Sequence, residues 1–123
     1  MTHEDLQSLS HDIANFGSEV AFRSAVSRSY YSAFHAMREQ TQDVMLSSPP
    51  MGSHALVTAR IKEKYGEALS KHFHKMKKHR NSADYDTEKT FRRNNAEKMF
   101  SDRNFLLSKA VEAEALESNK GEG

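Results

Sequence analysis

The chain has 123 residues, the length of one domain, and carries 18 Lys and Arg against 17 Asp and Glu, a formal net charge of +1. It contains no cysteine, which excludes disulfide scaffolds, thiol enzymes, iron–sulfur proteins and Cys-based zinc fingers. No apolar run approaches the roughly 18 residues of a membrane span, and the polar N-terminus is unlike a signal peptide, so we expect a cytoplasmic protein. A chain this small buries a modest core, which homo-oligomerisation would supplement.

The first two helices are predicted from apolar residues that recur at helical spacing, while no segment alternates as a strand would. The first helix follows Thr2, a good N-cap residue, and stops at Gly17. The second runs from about Glu19 to about Met45 and is rich in small residues. Small residues let helices approach closely, so we place this helix at the centre of a bundle or at an interface.

Three more helices follow the Ser- and Pro-rich loop at residues 47–53. We expect Ser53 to cap the third helix and Gly66 to break or bend the chain before the fourth. The fourth helix should end near Asn81 or Ser82, and Thr87 can start the last one.

The sequence therefore predicts an all-α fold, an antiparallel four- to five-helix bundle. We assign residues 1–112 to a single domain. Residues 113–123 are predicted to form a flexible acidic tail.

The strongest charge feature is the segment 71–80, KHFHKMKKHR, which has five cations and no acid. Because Phe73 and Met76 should face the core, most of the cations must face outward. A basic helix face suits phosphate. The alternative is a solvated helix face whose cations complement the C-terminal end of the helix dipole.

Two polar clusters are candidate sites. Arg80, Asn81, Asp84 and Tyr85 could assemble a polar site at the end of the basic helix, or simply form a capped helix end. In the second helix Arg28, Tyr31 and His35 share one face, apart from the apolar stripe. That face is either a second polar wall or a flank that hydrogen-bonds neighbouring helices.

No metal site or cofactor is predicted. His72 and His74 lie about 200° apart on a helix, so they cannot share an ion. His72 and His79 could share a face, but no third ligand is evident.

The segments SRSYYSAFHAMRE, GSHALV and RNSADY, followed by a long final helix, together resemble the small HEPN-domain proteins of bacteria and archaea. The resemblance covers about residues 15–112, and its strongest parts are Ser27–His35 and Arg80–Tyr85. It implies a dimeric helical bundle. Many such proteins are toxins, metal-independent ribonucleases or parts of antiphage defence, often encoded beside a nucleotidyltransferase antitoxin.

One feature departs from the nuclease members of this family, in which an Arg is followed by a His after four to six intervening residues. From Arg80 those positions hold Tyr85, Asp86 and Thr87. Cleavage of this type needs a proton acceptor, a proton donor and a cation for the phosphate. We hypothesise that His35 faces Arg80 across the bundle and supplies the missing acid or base.

The resemblance leaves two interpretations open. In the first, the protein is a toxin-like or defence-associated ribonuclease. Arg80 holds the phosphate, and Asp84, Tyr85 and His35 complete the catalytic site. The residues expected to contact RNA are Lys75, Lys77, Lys78, Asn81 and Arg28. In the second, the protein is a non-catalytic module that binds RNA or a nucleotide, or docks a nucleotidyltransferase or a larger defence complex. The missing His favours the second interpretation.

Two further expectations accompany these interpretations. Tyr85 is the candidate for nucleotide addition by a nucleotidyltransferase partner, because of its position beside Arg80. A purely structural helical dimer is the third possibility, and it predicts that the basic helix binds nothing.

Overall fold

The computed structural model describes residues 1–122, with side chains through Glu117. It contains five helices: α1 (His3–Ala14), α2 (Glu19–Gln40), α3 (Ser53–Tyr65), α4 (Glu67–Tyr85) and α5 (Arg93–Glu122). No strand occurs within residues 1–122, so the predicted all-α helical bundle is confirmed. None of these helices combines the length and apolar character needed to cross a membrane.

Helix α2 lies at the centre of the bundle, because it packs against each of the other four helices. Its small residues allow this: Ala25, Ala33 and Ala36 are fully buried, and so are Ser29 and Ser32. The larger side chains of the core are Val26, Met37, Val57, Ile61, Phe73, Met76, Met99 and Leu106. Each contributes roughly 1.5–3 kcal/mol through burial.

Buried polar contacts fix α1 against α2. The Ser29 hydroxyl donates to Gln7 Oε1 at 2.8 Å, and the Ser32 hydroxyl donates to the carbonyl of His3 at 2.6 Å. Arg103 of α5 donates to Ser32 Oγ at 3.2 Å and to the Glu4 carboxylate at 2.7 Å. These satisfied groups define the register of α1, because a shift would leave them buried without partners.

Helix α2 ends at Gln40, whereas the sequence predicted an end near Met45. The Thr41 hydroxyl turns back to the carbonyl of Met37 at 2.7 Å. Lys64 Nζ donates to the carbonyl of Gln40 at 2.6 Å. Met45 is 89% exposed, so a longer helix would gain no core contact.

The boundaries of the later helices also differ from the prediction. Helix α3 is capped by Gly52 rather than Ser53, without a side-chain cap. Helix α4 continues to Tyr85 instead of ending near residues 81–82, because an Arg80–Asp84 ion pair at 3.3 Å supports its last turn. Thr87 does not start the last helix.

The loop at residues 86–92 separates α4 from α5. In this loop the Asp86 carboxylate accepts from the backbone N–H of Glu88 at 3.3 Å. Residues 113–122 continue α5 as a helix. The flexibility expected of the tail stays a prediction, and residue 123 lies outside the described residues.

Candidate functional site

Arg80 of α4 faces α2, and its side chain is only 14% exposed. The guanidinium carbon lies 5.2 Å from the ring centre of Tyr30 and 5.4 Å from that of Tyr31. Nη1 donates to the Tyr31 hydroxyl at 3.1 Å and to Asp84 Oδ2 at 3.3 Å. The same carboxylate oxygen accepts a long hydrogen bond from Ser27 at 3.4 Å. Arg80 is therefore held in place from two helices.

The guanidinium of Arg80 keeps unused donors. Its Nε is buried without a hydrogen-bond partner, and Nη2 makes no hydrogen bond to any described residue. An arginine offers five N–H donors in a planar fork. An oxyanion at the surface can therefore bind Nη2 while Asp84 and Tyr31 keep Nη1.

His54, in the first turn of α3, contacts Tyr30 on α2 and so holds one of the two rings beside Arg80. The Tyr30 hydroxyl donates to His54 Nδ1 at 2.6 Å, which leaves the proton on Nε2 for Thr58 Oγ1 at 3.1 Å. The Thr58 hydroxyl in turn donates to the carbonyl of His54 at 2.8 Å. The imidazole stacks on Phe73, with ring centres 4.7 Å apart. Both ring nitrogens are thus occupied.

The charge state of His54 follows from the same surroundings. Burial, followed by the nearby charges of Lys77, His74 and Arg80, lowers its pKa to about 4. His54 is neutral at pH 7 and acts as a support for Tyr30. Burial also raises the pKa of Tyr30 far above its ordinary value, so its hydroxyl keeps the proton that it donates.

Sequence inspection missed the role of His54. The only signal was its place in GSHALV, directly after the loop at residues 47–53.

A groove of about 560 Å³ runs along α2 beside Arg80, between Arg28 and Tyr31 on one wall and Asp84 and Tyr85 on the other. Tyr85 is 76% exposed. It also lines an adjoining depression that contains Asn81. The structure therefore brings most of the predicted polar site together at the C-terminal end of α4.

The predicted lysines do not share one surface. Lys77 lies close enough to His54 to lower the pKa of that imidazole. Lys78 lines a cavity against the loop at residues 86–92, and Lys75 lines a groove of about 630 Å³ against α5. The basic helix thus spreads its cations over several directions, and only Lys77 accompanies Arg80.

His35 does not join Arg80. Its Nδ1 instead contacts Arg38 Nη2 at 3.1 Å, and burial together with Arg38 lowers its pKa. No hydrogen bond links His35 to Arg80 in the part of the chain with described side chains. Tyr31, one turn earlier on α2, occupies the position against Arg80.

Arg23 of α2 is a second residue that the sequence did not single out. Its Nη1 donates to the carbonyls of Ser82 at 3.3 Å and Ala83 at 3.0 Å, and its Nη2 donates to the carbonyl of Lys89. Its guanidinium carbon lies 4.6 Å from the ring centre of Phe91. Arg23 therefore ties the end of α4 and the following loop to α2.

Glu19 completes this clamp. Its carboxylate pairs with Arg23 at 3.2 Å and accepts from the backbone N–H of Phe91 at 3.1 Å. The N–H of Phe91 and the guanidinium of Arg23 lower the pKa of Glu19. The carboxylate is thus charged when it bridges the two groups.

Comparisons with known proteins give no relative: no family model, no curated protein and no solved structure matches this chain. Within the described side chains, no three His, Asp or Glu residues are grouped to hold a metal ion. The chain is therefore described by its own features, an all-α bundle with a largely buried arginine beside a groove and an adjoining depression.

Proposed function

We propose that this protein binds RNA at Arg80, as a toxin-like or antiphage-defence protein of the HEPN type. The observation that carries the proposal is the guanidinium held between Tyr30 and Tyr31 with donors still unused. It agrees with the resemblance in SRSYYSAFHAMRE and RNSADY.

The chemistry of the site suits a single RNA strand. Guanidinium matches phosphate geometry, and a side chain already held by its neighbours loses little freedom on binding. The exposed ring of Tyr85 beside Arg28 offers a surface for base stacking. Phosphates at Arg80 and Arg28 with a base on Tyr85 would occupy the groove.

RNA binding is tested with a labelled single-stranded oligonucleotide and fluorescence anisotropy. We expect Arg80→Gln to weaken binding about tenfold, the effect of losing one good charged contact. Lys62→Gln removes the same charge from an exposed position on α3, and it should bind like the natural protein. Equal affinities for both variants, with folding verified by circular dichroism, would contradict the proposal.

A metal-independent ribonuclease is the second candidate. It is favoured by the contact of Arg80 Nη1 with both a carboxylate and a hydroxyl. Asp84 would take the proton of the 2′-hydroxyl, Arg80 would stabilise the charge on phosphorus, and Tyr31 would protonate the leaving oxygen. The products would be a 2′,3′-cyclic phosphate and a 5′-hydroxyl end.

Cleavage is measured on the same RNA in EDTA. Under this candidate Asp84→Asn and Tyr31→Phe each remove cleavage while Arg80-dependent binding remains. Binding without cleavage in the natural protein would reject the ribonuclease and leave the non-catalytic module that binds RNA or a nucleotide.

A nucleotidyltransferase partner is the third element that we propose. The exposed hydroxyl of Tyr85 is open to modification, and an added adenylate would put negative charge beside Arg80 and fill the groove. Co-expression with the neighbouring gene should raise the intact mass by one or more nucleotides in the natural protein and not in Tyr85→Phe. An unchanged mass would reject this route.

We also propose a homodimer formed through the exposed face of α2, where Val20 is 77% exposed and lies beside the groove. Sedimentation equilibrium of the natural protein should give twice the monomer mass, and Val20→Glu should lower it. A monomer at all concentrations would reject the dimer.

A further inference from the structure

A second polar cavity lies on the other side of α4 from Arg80, against the loop at residues 86–92 and the start of α5. Its volume is about 370 Å³. The polar residues that line it are Lys78, His79, Ser82, Lys89, Thr90 and Asn95. Among the described residues, Phe91 is the one apolar lining residue, and no carboxylate lines this cavity, so its polar groups are cations and neutral hydrogen-bonding groups.

His79 lines the cavity and has one ring nitrogen without a hydrogen-bond partner in the described part of the chain. Its ring stacks on Phe91 with centres 5.6 Å apart, and its Nδ1 is buried without a partner among the described residues. Buried polar atoms are nearly always bonded, so an orphan calls for a partner such as a ligand or an ion. Burial, with Lys98 and Lys89 adding to it, lowers the pKa of His79, while Asp102 opposes the shift.

The cations of the cavity are largely unpaired. Lys78 makes no ion pair within the described residues, and Lys89 reaches Asp86 only at 3.9 Å. The backbone N–H of Arg92 donates to Asn95 Oδ1 at 2.8 Å. This bond fixes the orientation of the Asn95 amide and leaves its nitrogen available as a donor. Two ammonium groups, two hydroxyls and one amide therefore line a cavity large enough for a small anion and its hydration.

We propose that this cavity is a phosphate-binding subsite distinct from Arg80. Lys78 and Lys89 supply the charge, Ser82, Thr90 and Asn95 donate to the phosphate oxygens, and the orphan nitrogen of His79 gains a partner. The subsite goes beyond the RNA binding proposed above, because a phosphate can bind here whether or not Arg80 binds RNA.

The phosphate has two sources, an RNA strand and a free nucleotide. Ser82 lines both this cavity and the depression that holds Asn81 and Tyr85. A strand bound in the groove along α2, between Arg28 and Tyr85, can therefore continue around the end of α4 into the cavity.

The direct test follows the imidazole ¹H–¹⁵N signals of the full chain while inorganic phosphate is added. We expect saturable shifts at His79, and about tenfold weaker binding or more in the double variant Lys78→Gln/Lys89→Gln. The matched control is Lys62→Gln/Lys71→Gln, which removes two charges from exposed positions outside the cavity. Absence of a His79 shift in the natural protein, or an equal loss in the control, would overturn the subsite.

A second arm identifies the source. An RNA oligonucleotide that binds about tenfold more weakly to Lys78→Gln/Lys89→Gln than to the control assigns the subsite to the RNA strand. RNA affinity unchanged by those substitutions, together with His79 shifts on adding AMP, assigns it to a nucleotide. We expect the His79 shifts with inorganic phosphate to be the same in Arg80→Gln as in the natural protein, so failure of RNA binding at Arg80 is distinguishable from failure of this subsite.

Discussion

Replacing Arg23 by Ala should destabilise the whole fold, because Arg23 joins α2 to the end of α4 and to the following loop. The side chain is 16% exposed. Its Nη1 donates to two carbonyls at the end of α4, at 3.3 Å and 3.0 Å, and hydrogen bonds from a charged donor are worth about 1.5 kcal/mol each. The contact with Phe91 adds roughly 0.5–1 kcal/mol, and water regained by the carbonyls offsets about that much. We therefore expect a loss of about 3 kcal/mol.

The assay is urea unfolding followed by circular dichroism, with Arg28→Ala as the matched control. Arg28 lies on the same helix and is exposed without a hydrogen bond to a described residue, so its loss should cost under about 0.5 kcal/mol. Arg23→Lys keeps the charge beside Glu19 but cannot reach several carbonyls at once, so it should lie between the two. Hydrogen exchange at the Phe91 amide should speed up in Arg23→Ala. An unfolding midpoint for Arg23→Ala equal to that of Arg28→Ala would refute the clamp.

Two further predictions concern stability. His54 should make the protein acid-sensitive: its pKa is about 4 in the fold and about 6.5 when unfolded, so the unfolded chain binds the proton first. The contribution of neutral His54 to the free energy of unfolding should be fully present above about pH 6.5. It should be lost as the pH drops towards 4, and the loss should be about 1–2 kcal/mol after allowance for solvent screening. The slope of unfolding free energy against pH should be shallower in His54→Gln, and an identical slope would contradict this. Gly66→Ala should cost about 1–3 kcal/mol in urea unfolding, since φ +106° with ψ 168° strains any side chain. A cost near zero would show that the α3–α4 junction relaxes freely.

The helical fold was predictable because the apolar spacing and the caps agree. Thr2 forms the expected capping box with Asp5, with bonds of 3.1 Å and 2.9 Å. The small residues of α2 correctly indicated a central helix. These signals are local, and local patterns survive folding when the tertiary packing reinforces them.

Helix ends were predicted less well because contacts from distant parts of the chain decide them. Lys64 binds the carbonyl at the end of α2, and Arg23 binds those at the end of α4. Neither partner is near in sequence to the helix end that it satisfies. Propensity alone therefore extended α2 too far and ended α4 too early.

The candidate site was half predictable for the same reason. Arg80 and Asp84 are four residues apart on one helix, so their pairing follows from helical geometry. The contact of Arg80 with Tyr31 spans 49 residues, and the choice between Tyr31 and His35 depends on how α2 and α4 cross. That crossing is set by packing of the core, which spacing along one helix does not encode.

The distribution of cations around α4 leads to a prediction about salt. The net charge of +1 gives little long-range attraction for RNA, so binding must depend on the few cations beside the groove. Arg28 lines the groove, and Arg80 and Lys77 lie together near His54 on the adjoining face of α4. Arg23 also lines the groove, but Glu19 and two backbone carbonyls occupy its guanidinium. Three cations therefore remain for phosphate on that side, whereas Lys75 lines a groove against α5. Three phosphate contacts to a single strand give a slope of log K against log salt concentration of about −2.

Adding the cavity that contains Lys78 and Lys89 would raise the number of contacts to five, and the slope to about −3.5. The slope therefore measures how far the strand extends around the end of α4. Arg80→Gln should reduce it by about 0.7. A slope steeper than about −5 would mean that the lysines on all sides of α4 contact RNA together, which this arrangement of side chains does not allow.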